Sequence, residues 1–306
     1  MIRVEQIKVN RGMKINDLVN KYSKINVMGA GRLGKAVDIL ELMIKDKECR
    51  VFFGIAGAMI PGGMQNVIID FIENKLVDVV AATGATLTHD LAEGLGFKHI
   101  QGDKNMDDAR LYKKGLVRMY DSLMENKVYD VLEDFFEKNF NEISKAKNIR
   151  EFLYILGKLS PRNTILNSCY RNNIPLFCPA ISDSGIGLMI WGKIAKGKKI
   201  NIDAFDDLKE ILDIAWTAKK TGVFYIGGGV PKNFIQQAMQ FSKQAKYGVQ
   251  ITTDIPDYGG SSGASLREGI SWGKLEENAS YVDLRCDATI ILPIILASLK
   301  DRLGKA

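Results

Sequence analysis

The chain has 306 residues and only two histidines, His89 and His99, and four cysteines, Cys49, Cys169, Cys178 and Cys286, none in CxxC spacing. That scarcity argues against a structural zinc site and against a disulfide framework, and no resident metal is expected; a reducing cytoplasm fits. No stretch approaches the roughly 18 uninterrupted apolar residues of a membrane span, and the first residues, MIRVEQIKVNRGMKINDLV, lack the apolar core of a signal peptide. A soluble, cytoplasmic protein without a membrane partner is expected. The charge is close to balanced, 42 basic against 36 acidic residues. The basic residues are dispersed rather than gathered with aromatics, so no nucleic-acid partner is expected.

One familiar motif is present in form but poor in context. Gly29, Gly31 and Gly34 make a GxGxxG, the pattern that seats a pyrophosphate at a helix N-terminus. The apolar run before it is only Ile25 to Met28, broken by Asn26, and the next candidate strand, Arg50 to Ile55, is followed by no acid to hold a ribose hydroxyl. A helix packed closely through small residues is the expectation there, and a dehydrogenase built on those glycines is set aside.

What the sequence does contain is a repeated alternation. Six times a β-branched or aromatic run leads into a turn of Gly, Ser, Thr or Asp: VFFGIAGAMIPGG, VDVVAATGATLTHD, PLFCPAISDSGIG, GVFYIGGGVPKN, YGVQITTDIPDYGGSSGA and YVDLRCDAT. Most of these turns are followed by a helical pattern. This predicts an α/β fold with a doubly wound, largely parallel sheet and helices on both faces. Parallel strands place their carboxyl ends on one edge, where open sheets of this kind bind ligands. Residues 1–24 read as an N-terminal arm with a short helix from Ile15 to Tyr22, and 25–306 as a single domain. Asp107 to Arg171 shows helical spacing without convincing strands and reads as a helical insertion. Asn201 to Lys219 reads as an amphipathic helix whose acids cluster near its start.

The chemistry is expected in Ile251 to Lys274. After Gly259, Gly260 and Gly263, residues Ala264 to Trp272 read as about two helical turns with Glu268 and Trp272 on one face. Gly273 is placed to stop that helix, leaving Lys274 on the exit turn beside an indole and near a carboxylate. A lone lysine after a helix is ordinarily a solvated surface residue. Desolvation favours the neutral, nucleophilic form of an amine, however, and that is the form an imine requires.

Taken together, GGGVPKNF (227–234), CPAISDSGIG (178–187), SSGASLREGISWGK (261–274) and CDATIILPIIL (286–296) resemble the deoxyhypusine synthases and their relatives, which include homospermidine synthases. The resemblance runs from about residue 29 to the end of the chain, and SGA...E..SWGK is its most specific part. It implies a homotetramer with NAD at subunit interfaces and a polyamine substrate. Such enzymes take a hydride from spermidine, cleave it and hold the 4-aminobutyl group on a lysine as an imine. They then pass the group to an acceptor amine, which in deoxyhypusine synthase is a lysine of a translation factor precursor. The resemblance assigns the imine to Lys274, the amine site to Trp272 and Glu268, and NAD contacts to Asp183, Thr253, Ser262 and Asp287, with Gly227, Gly228 and Gly229 letting the backbone approach the cofactor.

The sequence also departs from the family pattern. Asn233 stands where a histidine is expected, and an amide cannot serve as a base. Leu188 and Ser261 replace aspartates, and Thr88 and His89 replace a pair of glutamates. Asp254, Asp257 and Glu268 remain to offset the lost acids, and His89 is a candidate for the missing base. These departures open two alternatives: transfer to a free diamine, as in homospermidine synthesis, or a catalytically impaired NAD-binding paralogue.

Overall fold

A computed structural model describes Arg3 to Lys305. In chain order the elements are α1 (Ile15–Ile25), α2 (Met28–Lys45), β1 (Cys49–Ile55), α3 (Gln65–Glu73), β2 (Val79–Ala82), α4 (Gly84–Gly94), β3 (Ile100–Gln101), α5 (Asp108–Lys113), β4 (Leu116–Met119), β5 (Ser122–Glu125) and α6 (Val128–Ile143). Beyond these lie α7 (Ile149–Leu159), α8 (Ile165–Asn172), β6 (Leu176–Phe177), α9 (Gly185–Ala195), α10 (Phe205–Thr217), β7 (Lys220–Ile226), α11 (Gly229–Gln240), β8 (Ala245–Thr252), α12 (Glu268–Ser271), β9 (Leu275–Arg285) and α13 (Ala288–Leu303). Each of the six runs picked out by composition is a strand, and the fold is α/β as expected. The chain forms two compact units, one of residues 1–55, 74–81 and 208–306, the other of residues 56–73 and 82–207.

The first unit is built on a sheet whose strands run β2-β1-β7-β8-β9. The pairings β1 with β7, β7 with β8 and β8 with β9 are all parallel. Phe53 of β1 lies opposite Phe224 of β7, and their rings stack with centroids 4.9 Å apart. Both are fully buried, and such a pair adds about 0.5–1.5 kcal/mol beyond the area it hides. Helix α2 packs on β8 and β9, and α11 on β1 and β7.

Helices α1 and α2 pack tightly against each other, and the GxGxxG is the reason. A Cβ on Gly31 would sit 2.5 Å from the backbone of Asn26, and one on Gly34 would fall on the backbone of Ser23. Gly31 and Gly34 thus serve the close helix packing expected there, while Gly29 meets nothing within 4 Å. Helix α1 also runs three residues past Tyr22 to Ile25. Its Asn16 side chain accepts hydrogen bonds from Ser298 and Arg302 of α13. Gly34→Ala should lower the unfolding midpoint. Alanine gains about 1 kcal/mol in helix propensity, but overpacking against rigid backbone costs about 1–3 kcal/mol, so the clash prevails. A thermal melt unchanged or raised by that substitution would contradict this packing.

The second unit is mainly helical, with one departure from expectation. Residues 107–171 contain β4 and β5, which pair antiparallel and, with β3, form a three-stranded sheet ordered β3-β5-β4. Met119 pairs with Ser122, so Tyr120 and Asp121 form a two-residue hairpin loop, with Tyr120 at φ +59°. Apolar residues in LVRMYDSLME fall at helical spacing by accident, and Tyr-Asp lacks the Asn-Gly signature of such turns. The insertion is therefore mixed rather than all helical.

Candidate functional site

The turns after β7, β8 and β9 lie side by side at the carboxyl ends of adjacent strands, since Ile226 pairs with Ile251 and Thr252 with Arg285. The first is Gly227–Gly229, in which Gly227 and Gly229 have φ of +67° and +54°. A Cβ on Gly228 would collide with Ser262, while one on Gly229 would meet only open space. The Gly229 amide donates to Ser262 Oγ at 2.8 Å. Ser262 and the three glycines are thus in contact across 33 residues of sequence. Thr253 follows β8 and is exposed. Asp287 caps α13, its carboxylate accepting from the amide and hydroxyl of Thr289, both at 2.8 Å. Asp183 belongs to the second unit, where its amide bonds the Ala180 carbonyl and it immediately precedes Ser184, the N-cap of α9.

Lys274 lies at the other end of the sheet. It directly precedes β9, and its carbonyl accepts from the amide of Ala245, the first residue of β8. The approach to it differs from the two helical turns expected. Helix α12 spans only Glu268–Ser271, and Ala264–Arg267 form turns before it. Gly273 does end the helix, at φ +67°. The Lys274 amide folds back onto the Gly269 carbonyl at 2.8 Å, and its ammonium lies 4.9 Å from the Trp272 ring centroid. The pairing of lysine and indole is therefore as expected, with Trp272 about half exposed.

Lys274, Trp272, Glu268, Ser261, Asn233 and Lys232 line one cavity of about 350 Å³. It runs along α11, because Lys232, Gln236 and Gln240, four residues apart, share a face of that helix. Glu268 is the one carboxylate in the lining, against two lysines and several amides. Asp254 and Asp257 are exposed and lie outside it, so they do not restore the lost acids there.

The residue that sequence reasoning missed is Lys232. It is 1% exposed, and burial lowers its pKa from 10.5 to about 8, with the charges of Asp283 and Glu268 opposing that shift and Lys274 adding to it. A signal for it existed in Gln250. An amide in the apolar strand YGVQIT must find a partner when buried, and Lys232 is that partner.

Of the replaced family positions in the second unit, Thr88 is structural. Its hydroxyl donates to the Gly84 carbonyl and accepts from the Ile186 amide, tying α4 to α9. Leu188 is exposed on α9. His89 joins a chain of titratable groups: His99 Nδ1 lies 2.7 Å from Glu93 Oε1, and His99 Nε2 lies 3.0 Å from His89 Nδ1. Burial first, then the charge of His99, holds His89 at a pKa of about 4 against the usual 6.5, while Glu93 opposes. The neutral imidazole keeps its Nε2 without a hydrogen-bond partner among the described residues.

The unfolded chain binds more protons at His89 than the folded one between pH 6.5 and 4. Its stabilising contribution is therefore complete above about pH 6.5 and is lost as pH falls toward 4. The neighbouring Asp90 works oppositely. Burial raises it to about 6, so the folded state gains as pH falls from 6 to 3.8. His89→Asn isolates the first effect. Between pH 7 and 5 wild type should lose about 1–2 kcal/mol more unfolding free energy than the variant, after allowance for partial exposure. Equal losses in denaturant titrations would exclude the assignment.

Fold and site together define an α/β protein with a glycine turn at its strand ends and an indole-paired lysine in a polar cavity. A family model described as deoxyhypusine synthase matches residues 17–299. A relative from Methanosarcina thermophila described as "Probable deoxyhypusine synthase" is 38% identical, with 99% of this chain and 96% of the relative covered. "Probable deoxyhypusine synthase 2" of Archaeoglobus fulgidus is 39% identical, covering 88% and 92%. A crystal structure from Entamoeba histolytica, described as that of a deoxyhypusine synthase candidate, shares the fold at a TM-score of 0.67 and 19% identity, covering 99% and 98%. The chain belongs to the deoxyhypusine synthase family.

Proposed function

We propose that this protein is an NAD-dependent transferase that moves a 4-aminobutyl group from spermidine, through an imine on Lys274, to a lysine of a translation initiation factor 5A precursor. The observation that carries the reading is one cavity that holds Lys274, its covering indole and a single carboxylate. The Gly227–Gly229 turn suits a dinucleotide, since its backbone at Gly229 faces open space and a side chain there would fill that approach. Ser262, Thr253 and Asp287 are the further residues of the first unit proposed to hold it. NAD, when bound, supplies the acceptor for the hydride and its later donor. Lys274 Nζ adds to the carbon that has lost the hydride, expels the departing amine and holds the four-carbon chain as an imine until the acceptor amine displaces it. Trp272 shields that lysine from water, and Glu268 pairs with an ammonium of the polyamine.

A second reading, transfer to a free diamine, is favoured by one specific feature. With a single carboxylate and several amides, the cavity is poorly furnished for three positive charges. The test offers labelled spermidine, NAD, the precursor protein and putrescine together, with borohydride added to trap any imine. Label on the precursor supports the first reading, and label on putrescine the second. An absence of label at Lys274 would remove both and leave an NAD-binding paralogue without turnover.

A further inference from the structure

Lys232 sits in the first turn of α11 with its ammonium buried and three neutral acceptors around it. Nζ donates to Gln250 Oε1 at 2.9 Å, to the Ser261 carbonyl at 2.6 Å and to the Ala264 carbonyl at 2.8 Å. Gln250, itself fully buried, donates from Nε2 to the Ser262 carbonyl at 2.8 Å and to the Gly227 carbonyl at 3.3 Å. Two buried side chains therefore join the Gly227–Gly229 turn to the Ser261–Ala264 turn, and the Gly229–Ser262 bond closes the ring. Within the second turn the Gly263 and Ala264 amides both bond the Gly260 carbonyl at 3.2 Å, while the Ser261 and Ala264 carbonyls are tied to α11 by Lys232.

Such a lysine is unsuited to nucleophilic attack, because all three of its hydrogens are engaged and its amine has no approach from solvent. It is also a costly way to fill a core, since an apolar side chain of the same length would pay no desolvation. What the ammonium provides is a third donor, and a neutral amine has only two hydrogens for the three acceptors.

We infer that Lys232 is a positioning residue whose ammonium fixes the Ser261–Ala264 turn against the glycine turn, and so holds the segment carrying Glu268, Trp272 and Lys274 in its reactive placement. The charged groups that bear on it are Asp283 of β9 and Glu268 of α12, which favour the ammonium, and Lys274, which opposes it. Loss of the third donor then loosens the turn as pH rises through about 8. The consequence for transfer rests on the imine reading, and the consequence for the turn does not.

The test compares full-length wild type with Lys232→Met and Lys232→Arg. Amide hydrogen exchange is normalised to the intrinsic rate at each pH, and borohydride trapping on Lys274 is measured alongside. In Lys232→Met, which loses all three donors, exchange at Ser262–Ala264 should rise by more than the roughly tenfold expected for one lost buried hydrogen bond, while β1 and β7 stay protected. The maximal trapping rate should fall by at least as much, and the KM for the amine should rise with it, because Glu268 is carried on the same segment. Wild type, which gives up only the third donor, should show a smaller loosening of the turn, about tenfold, between about pH 7 and 9, and the methionine variant no further change. Lys232→Arg keeps the charge and should recover part of the protection. Wild-type exchange and trapping in a folded Lys232→Met would overturn the assignment. So would flat protection of the turn in wild type over that same pH range, which stays measurable even where the variant does not fold. A wild type that traps nothing on Lys274, yet shows the pH-dependent turn, would sink the imine reading and leave this one standing.

Discussion

Lys274→Ala should abolish both the borohydride-trapped adduct and transfer of label, a loss of ~10³-fold or more, as for removal of a covalent nucleophile. NAD affinity should be unchanged, because nothing in the Gly227–Gly229 and Ser262 ring involves the Lys274 side chain. Folding should survive as well. The Lys274 backbone is held by Gly269 and Ala245 whatever its side chain, and the lost contact with a half-exposed indole contributes only about 0.5–1 kcal/mol. Lys274→Arg separates nucleophile from charge. A guanidinium keeps the cation over Trp272 but does not form an imine at neutral pH, so this variant should be as dead as the alanine one. Transfer retained in Lys274→Ala, measured with labelled amine and acceptor, would end the assignment.

The parts of this molecule that were legible in the sequence are those fixed by local composition. β-branched runs that stop at Gly, Ser or Asp became strands β1, β2, β6, β7, β8 and β9, because a pleated, buried backbone favours such side chains and the turn residues let the chain leave the sheet. Gly273 beside Lys274 was legible for the same reason, as a left-handed exit from a helix. What escaped was set by long-range partners. The β4–β5 hairpin turns on Tyr120 and Asp121, whose types do not announce a turn. Ala264–Arg267 look helical by spacing, yet Asp283 of β9 takes the Ser265 hydroxyl at 2.6 Å and the Leu266 amide at 3.0 Å, holding that stretch in turns. Lys232 carries no local signal because its three acceptors come from residues 18 to 32 positions away. The GxGxxG shows the converse. A strong local motif stands there without the strand it needs, and two of its glycines, Gly31 and Gly34, serve the packing of α1 on α2.

Glu268→Gln should raise the KM for the polyamine by about 10–100-fold, the worth of one hydrogen bond to a charged group, while kcat changes far less. The reason lies in the charge balance of the cavity. Glu268 is the one carboxylate lining it, so the substitution leaves an incoming ammonium with no anion in the lining. Its effect on folding should be small, since the side chain is exposed and the bond in which Glu268 helps its helix, from the Ser271 hydroxyl, goes to its backbone carbonyl. The glutamate also favours the Lys232 ammonium, so part of the loss should appear as a looser Ser261–Ala264 turn, separable by its pH dependence. Ser261→Asp is the change of opposite sign. It returns a carboxylate to the same lining and should lower the KM for spermidine more than that for putrescine, because the longer cation has a further ammonium to satisfy. Raising the ionic strength should shrink both effects, since the cavity is open enough for screening to reach it. A KM indifferent to both substitutions would mean that the amine is bound elsewhere, and Lys274 would then have to be judged without Glu268 as its partner.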